Sequence, residues 1–82
     1  MDKCFKQLAK ELVKIKGEKE MQEFLYGLFT PQEIESIPRR LEIIKLLKKG
    51  MPQHEIAQKL GVGVATVTRG SKELKMNKFE NV

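Results

Sequence analysis

The chain has 82 residues, with 16 lysines and arginines against 11 acidic residues, and a formal net charge of +5. A chain of this length forms one small domain that leaves much of its surface exposed, so a second subunit would help to stabilise it. The positive charge favours a polyanionic partner, either nucleic acid or an anionic membrane surface. The single cysteine, Cys4, and the single histidine, His54, exclude an internal disulfide and leave too few ligands for a zinc site.

No stretch of about 18 apolar residues is present, so no membrane-spanning helix is expected. The stretch MDKCFKQLAKELVKIKG lacks the apolar segment and the small-residue cleavage site of a secretory signal. We therefore expect a cytoplasmic protein without a membrane partner. Internal repeats, low-complexity tracts and Gly/Ser-rich linkers are also missing, which predicts a single domain over 1–82.

Residues 1–29 contain two apolar patterns at helical spacing, separated by Gly17. The patterns comprise Phe5, Leu8, Leu12 and Ile15, then Met21, Phe24, Leu25 and Leu28. Their polar faces mix both signs of charge, whereas helices that lie on a membrane are usually rich in lysine and arginine alone. We expect two amphipathic helices that bury their apolar faces against a neighbour, with a membrane surface as the alternative.

The pattern of residues 30–50 predicts one central helix. Thr30 has the N-cap position, Pro31 has the first helical position, and Glu33 completes a capping box. The apolar face comprises Ile34, Ile37, Leu41, Ile44 and either Leu46 or Leu47. Pro38 lacks the N–H that would bond to the carbonyl four residues earlier, so we expect a kink or a restart of the helix there.

Residues 52–75 have the pattern of two short helices joined by a tight turn. The first helix is expected to end near Leu60, and the second to cover residues 64–75. Ala57 is small where the two helices would cross, and Gly61 permits a left-handed conformation in the turn. We interpret this segment as a DNA-binding helix-turn-helix, with an ordinary helical hairpin as the alternative.

The second of these helices contains Arg69 and Gly70, where an apolar residue would normally fill the core. Glycine inside a helix costs about 1 kcal/mol relative to alanine, but it leaves room for another group to approach the backbone. Arg69, beside that gap, is either a phosphate-contacting arginine, as in many recognition helices, or part of a ligand site.

The stretches LFTPQEIE, RRLEIIKLLKKG and QHEIAQKLGVGVATVTRGSKELK resemble the bacterial tryptophan repressor family, and GVATVTRGSKELK is the most specific part. The resemblance implies an all-α, intertwined homodimer in which residues 1–29 supply dimerisation helices and the C-terminal helix-turn-helix binds a palindromic operator. It also implies that L-tryptophan is the corepressor, that no other cofactor is needed, and that the regulated genes serve tryptophan biosynthesis or transport. Relatives on the same scaffold leave an alternative open, a regulator with a different amino-acid ligand or with none.

The resemblance also assigns a ligand site. Arg69 would pair with the ligand carboxylate and cover one face of the indole, and Gly70 would leave the gap that the ring enters. Arg40, from the other subunit, would cover the opposite face. That subunit would also close the slot with Gly27, Phe29 and Thr30. Glu73 stands where the family commonly has a serine, so it either attracts the ligand's ammonium or is a solvated helix residue.

The DNA-facing positions that the resemblance implies fall on both helices of the helix-turn-helix. They are Gln53, His54, Val64, Ala65, Thr66 and Thr68, with Lys75 reaching a phosphate. Small and hydroxyl side chains at the start of the second helix suit close approach to base edges in the major groove. His54 is equally compatible with a plain surface role. Residues 76–82 form a short tail where the family usually continues into another helix, and we expect it to be frayed, with Phe79 packing on the partner.

An enzyme is not expected. The sequence offers no catalytic cysteine and histidine pair, no phosphate-binding glycine loop of the right spacing and no paired carboxylates in a clear pocket. An interaction module that does not bind DNA, using the basic amphipathic N-terminal helix, is the remaining alternative.

Overall fold

The computed structural model of the chain describes residues 2–76 and 78–82. Within these residues there are five α-helices and no strand, and the helices are α1 (Lys3–Lys14), α2 (Glu18–Leu28), α3 (Pro31–Lys48), α4 (Gln53–Leu60) and α5 (Val64–Lys75). The predicted all-α class is confirmed, and the two helices of the helix-turn-helix lie within one residue of their predicted bounds. The chain divides into two compact units, Met1–Ile34 and Glu35–Val82.

The N-terminal unit contains α1 and α2. Asp2 caps α1, because its side chain accepts a hydrogen bond from the Cys4 N–H at 3.0 Å. Gly17 adopts a φ of +93°, which residues with a side chain rarely take, and it directly precedes α2. The two helices predicted on either side of Gly17 are therefore confirmed.

Apolar side chains of α1 and α2 lie largely exposed. None of the residues that form these two helices is buried, and Phe5, Val13 and Tyr26 expose 58%, 83% and 73% of their surface. Single exposed apolar residues are common on any protein, whereas a series along two helices is typical of an interaction face. The burial of these faces against a neighbour stays a prediction.

The start of α3 has the capping box that the sequence predicts. The Glu33 N–H donates to the Thr30 hydroxyl oxygen at 3.2 Å, and the Thr30 N–H donates to the Glu33 carboxylate at 2.9 Å. Two N–H groups that the first helical turn leaves without backbone partners are satisfied in this way. The cap fixes where the helix begins and contributes about 1 kcal/mol.

Pro38 lies inside α3 without ending it. The helix runs unbroken over Pro31–Lys48, so it does not restart at this residue, and the kink that was the other expected outcome stays a prediction. Proline deletes one hydrogen bond of the ladder, and the bonds of the turns on either side are enough to continue the helix.

The second half of α3 supplies the buried residues Ile43, Ile44 and Leu46 of the C-terminal unit. The predicted core face included Leu41 and omitted Ile43, and the structure corrects both, because Leu41 is 42% exposed and Ile43 only 2%. Because Ile43 and Ile44 are adjacent, the apolar spacing fits two different faces of the helix. The face that joins the core of α4 and α5 is the one that carries Ile43 and Leu46.

The helix-turn-helix of α4 and α5 closes this core. Ile56 of α4 and Val67 of α5 are fully buried, and Ala57 is 7% exposed. Gly61 ends α4 with φ +66° and ψ +36°, and the Val62 N–H bonds back to the Ala57 carbonyl at 3.0 Å. This is the left-handed C-cap that glycine favours, and it produces the tight turn expected between the two helices.

Candidate DNA-binding face and ligand pocket

The start of α4 and the start of α5 present most of the side chains that were assigned to DNA. His54, Val64, Ala65, Thr66 and Lys75 are exposed, whereas Gln53 and Thr68 are half-buried. Val64 directly follows the cap of α5 at Gly63. The exposed N-terminal turn of a second helix is the part that helix-turn-helix proteins place against base edges.

Gln53 and Thr68 contact each other across the helix-turn-helix. The Thr68 hydroxyl lies 2.7 Å from the Gln53 side-chain oxygen and 3.0 Å from the Val64 carbonyl, and its single proton donates to one of them at a time. The contact joins the first turn of α4 to the second turn of α5. Gln53 and Thr68 therefore hold the starts of α4 and α5 together, a role that the sequence pattern did not indicate.

A pocket of about 410 Å³ opens beside α3 and α5, within the C-terminal unit. Its lining comprises Ser36, Arg39, Arg40, Ile43, Ile44, Val62, Thr66, Arg69, Gly70, Glu73 and Phe79. The volume falls in the range of about 300–1,000 Å³ that is usual for small-molecule sites. Arginines, one carboxylate and several apolar side chains suit a zwitterionic ligand with an apolar body.

Four residues of the predicted ligand site, Arg40, Arg69, Gly70 and Glu73, line this pocket. Arg40 and Arg69 line it from one chain, whereas the resemblance implies an Arg40 from the other subunit. The neighbouring Arg39 is paired with Glu35 one turn earlier on α3 at 3.2 Å. Among the arginines of the lining, Arg40 and Arg69 are therefore the better placed to receive a carboxylate.

The other three predicted ligand residues belong to the N-terminal unit. Gly27 lies on α2, and a β-carbon added there would meet no neighbouring atom within 4 Å. Phe29 follows α2 and donates its N–H to the Leu25 carbonyl at 2.9 Å. Thr30 is the cap of α3 described above. Their backbone groups therefore lie at the junction of α2 and α3, where the resemblance assigns them to closing the slot.

Gly70 is buried where α5 approaches α3. A β-carbon at this position would lie 3.1 Å from Ile43 Cγ2 and 3.6 Å from Ile44 Cδ1 and Leu47 Cδ1. The absence of a side chain thus lets the two helices pack closely. The sequence pattern indicated a role for this glycine toward the ligand alone, and the structure adds a role in packing.

Glu73 forms an ion pair with Lys78 at 2.5 Å. The hydrogen bond from Lys78, then its positive charge and, more weakly, the charge of Arg69 lower the pKa of the Glu73 carboxyl below its ordinary value, against an opposing effect of desolvation. A carboxylate is therefore present among the arginines of the pocket at neutral pH.

A family model described as "Trp repressor protein" matches residues 3–81. The chain belongs to the Trp repressor family. Proteins named "Trp operon repressor homolog" are similar to it: one from Vibrio vulnificus (strain YJ016) is 44% identical over 73 residues, covering 87% of this chain and 72% of the relative. Another, from Actinobacillus succinogenes, is 52% identical over 56 residues, covering 67% of this chain and 55% of the relative. No solved structure matches the chain.

Trp repressor family proteins are DNA-binding transcription regulators, so this chain is a Trp-repressor-like regulator and not an enzyme. Within residues 2–76 and 78–82, no helix is long and apolar enough to cross a bilayer. The same residues place no group of three or more histidine, cysteine, aspartate or glutamate side chains where they could hold a metal ion.

The tail of this Trp repressor family chain folds back onto α3. The Lys48 ammonium donates hydrogen bonds to the backbone carbonyls of Phe79 and Val82, the latter at 2.8 Å. Phe79 is half-buried and lines the pocket, so the expectation of a frayed tail is wrong. Because Lys48 and Phe79 are 31 residues apart, no periodic pattern connects them. The sequence signal that could have indicated this contact was an aromatic residue in a polar tail.

Proposed function

We propose that this Trp repressor family member is a transcriptional repressor that binds its operator when L-tryptophan is bound as corepressor, and that it controls genes of tryptophan biosynthesis or transport. One observation carries the proposal. The helix α5 presents Val64 and Ala65 to the outside at its start, while Arg69 and Gly70 line a pocket one turn later. A ligand in that pocket would therefore set the position of the helix that reads DNA.

The pocket residues have the chemistry that a free amino acid requires. A guanidinium binds a carboxylate through two parallel hydrogen bonds and also stacks on an aromatic face, so Arg69 and Arg40 suit the carboxylate and the indole. The ionised Glu73 suits the ammonium. Gly27, Phe29 and Thr30 of the second subunit would complete the slot.

Operator binding follows from the outer face of the helix-turn-helix. We propose that Gln53, His54, Val64, Ala65, Thr66 and Thr68 face the major groove and that Lys75 contacts a phosphate. A homodimer would present two such faces, and ligand binding would set their separation near one DNA turn, about 34 Å, on a palindromic operator. The exposed apolar faces of α1 and α2 are the surfaces that dimerisation would cover. A protein with this role acts in the cytoplasm, where bacterial DNA lies.

Arg69→Ala tests the assignment of the ligand site. We expect the variant to lose its tryptophan response, with L-tryptophan affinity reduced about tenfold or more, since a charged hydrogen-bonding partner of the carboxylate is removed. The measurement is calorimetric titration of L-tryptophan together with operator binding with and without it. Lys72→Ala is the matched control, because Lys72 is an exposed cation on the same helix outside the pocket lining. A full tryptophan response in the Arg69→Ala protein would show that the site lies elsewhere.

A regulator on the same scaffold with another amino-acid ligand, or with none, is the second candidate. Glu73 favours it, because the carboxylate is already paired with Lys78 and stands where the family commonly has a serine. Titration of the unmodified protein with each aromatic amino acid separates the two candidates. Heat from L-tryptophan alone supports the proposal, heat from a different amino acid supports a changed ligand, and no heat from any of them supports a ligand-free regulator.

A further inference from the structure

Phe79 lies in a segment that contacts two different helices, α3 through the backbone of the segment and α5 through a side chain. Its own carbonyl and that of Val82 both accept hydrogen bonds from Lys48 of α3. The preceding residue, Lys78, is paired with Glu73 of α5. These contacts hold the segment that carries Phe79 against α3 and α5.

Phe79 borders the ligand pocket without filling it. Phe79 lines the cavity together with the apolar side chains of Ile43, Ile44 and Val62. With Phe79 in place, about 410 Å³ stays open, which is enough for an amino acid. Phe79 therefore acts as a wall of the pocket.

We propose that Phe79 is a ligand-contacting residue that makes the pocket selective for amino acids with an aromatic side chain. The proposal rests on the proposed function and names the part of the chain that reads the ligand's side chain. Arg40, Arg69 and Glu73 carry charges that suit the backbone groups shared by all amino acids. An aromatic wall adds contacts that another aromatic ring makes best, through offset or edge-to-face packing.

Lys48 is the positioning residue for this wall. It lies outside the pocket lining, and its ammonium holds the tail through two carbonyl groups. Without it, the tail would depend on the exposed ion pair of Lys78 and Glu73, and such a pair is weak in water. The Phe79 ring would then be present at the pocket for a smaller fraction of the time, and the apparent ligand affinity would fall with that fraction.

The test is calorimetric titration of L-tryptophan and L-leucine into the full chain and into Phe79→Ala and Phe79→Leu. We expect Phe79→Ala to weaken tryptophan binding about five- to tenfold and Phe79→Leu about two- to fivefold. Both variants should lower the ratio of tryptophan to leucine affinity, which a merely structural role of the ring would leave unchanged. Glu80→Ala, at an exposed position of the same tail, should bind like the unmodified protein.

Lys48→Met provides an independent arm and leaves the ring itself intact. We expect it to weaken tryptophan binding about two- to fivefold, while Lys49→Met, at the next exposed lysine, has no effect. Unchanged affinity and selectivity in the Phe79 variants would overturn the inference. Tighter tryptophan binding in Phe79→Ala would also overturn it, since the ring would then be an occupant of the pocket. If the unmodified protein itself bound no aromatic amino acid, the proposed function would fail first and this inference with it.

Discussion

Glu73 changes the charge inside a pocket that otherwise holds the arginines Arg39, Arg40 and Arg69. Lys78 lowers the pKa of the Glu73 carboxyl by donating a hydrogen bond and by its charge, and Arg69 adds to the effect. A serine at this position would offer a ligand's ammonium a neutral oxygen, whereas a carboxylate offers it a charge. That charge also brings competition, because Lys78 and the ligand's ammonium would bind the same two oxygens.

Lys78→Met should raise the pKa of the Glu73 carboxyl toward its ordinary value of 4.5. The pKa of Glu73 is lower in the folded protein than in the unfolded chain. The stabilisation from this pair is therefore present at a pH above the ordinary pKa, and it is lost as the pH falls through the pKa of the folded protein. An NMR titration of the Glu73 side-chain carboxyl measures the shift directly. Lys72→Met, which removes the exposed lysine next to Glu73 in α5, should leave the titration unchanged, because Lys72 is not among the groups that lower this pKa. Identical curves for the unmodified protein and Lys78→Met would show that the pair does not form in solution.

At the scale of the elements, the contact of α5 with α3 depends on Gly70. The nearest atom to a β-carbon there would be Ile43 Cγ2 at 3.1 Å, and Ile43 is 2% exposed, so it has little room to move aside. Overpacking of a buried site typically costs about 1–3 kcal/mol. The gain of alanine over glycine inside a helix is about 1 kcal/mol and opposes this cost.

Gly70→Ala should therefore lower the free energy of unfolding by about 1 kcal/mol. Gly27→Ala is the matched control, because Gly27 is also inside a helix but a β-carbon added there would have no neighbouring atom within 4 Å. The Gly27→Ala substitution should raise the free energy of unfolding by up to about 1 kcal/mol. Urea denaturation followed by circular dichroism measures both. Stabilisation by both substitutions would show that α5 is not closely packed at Gly70.

Local signals in the sequence were enough to predict the helices. Thr30 and Glu33 formed the predicted capping box, and Gly61 adopted the left-handed conformation expected of the turn. Each of these depends on residues within a few positions of one another. The all-α class and the helix-turn-helix followed from such signals.

Contacts between distant segments could not be predicted in the same way. The choice of Ile43 over Leu41 for the core depends on where α4 and α5 meet α3, since the apolar spacing fits both. The hydrogen bond from Lys48 to Phe79 joins residues 31 positions apart. No sequence pattern connects a lysine with an aromatic residue at such a distance along the chain. Gly70 was singled out by its unusual place in a helix, but its contact with Ile43 depends on how α5 docks against α3.

At the scale of the whole molecule, the proposed function has α5 connect operator binding with ligand binding. Val64 and Ala65 are exposed at the start of the helix, on the side assigned to DNA, and the part of the helix that lines the pocket begins at Thr66 and continues with Arg69 and Gly70. The net charge of +5 favours approach to DNA of any sequence, so the ligand has to add affinity at the operator beyond this general attraction. Coupling free energies of this kind are typically about 1–3 kcal/mol, which corresponds to about 5–150-fold in affinity.

The most direct test of a ligand-switched repressor is the affinity of the protein for its operator with and without L-tryptophan. A palindromic fragment selected from random DNA in the presence of tryptophan serves as the probe, and fluorescence anisotropy at fixed salt gives both dissociation constants. We predict binding about tenfold or more tighter with L-tryptophan, and no such gain on a scrambled fragment. Equal operator affinity with and without L-tryptophan would show that the protein is not a repressor switched by this ligand.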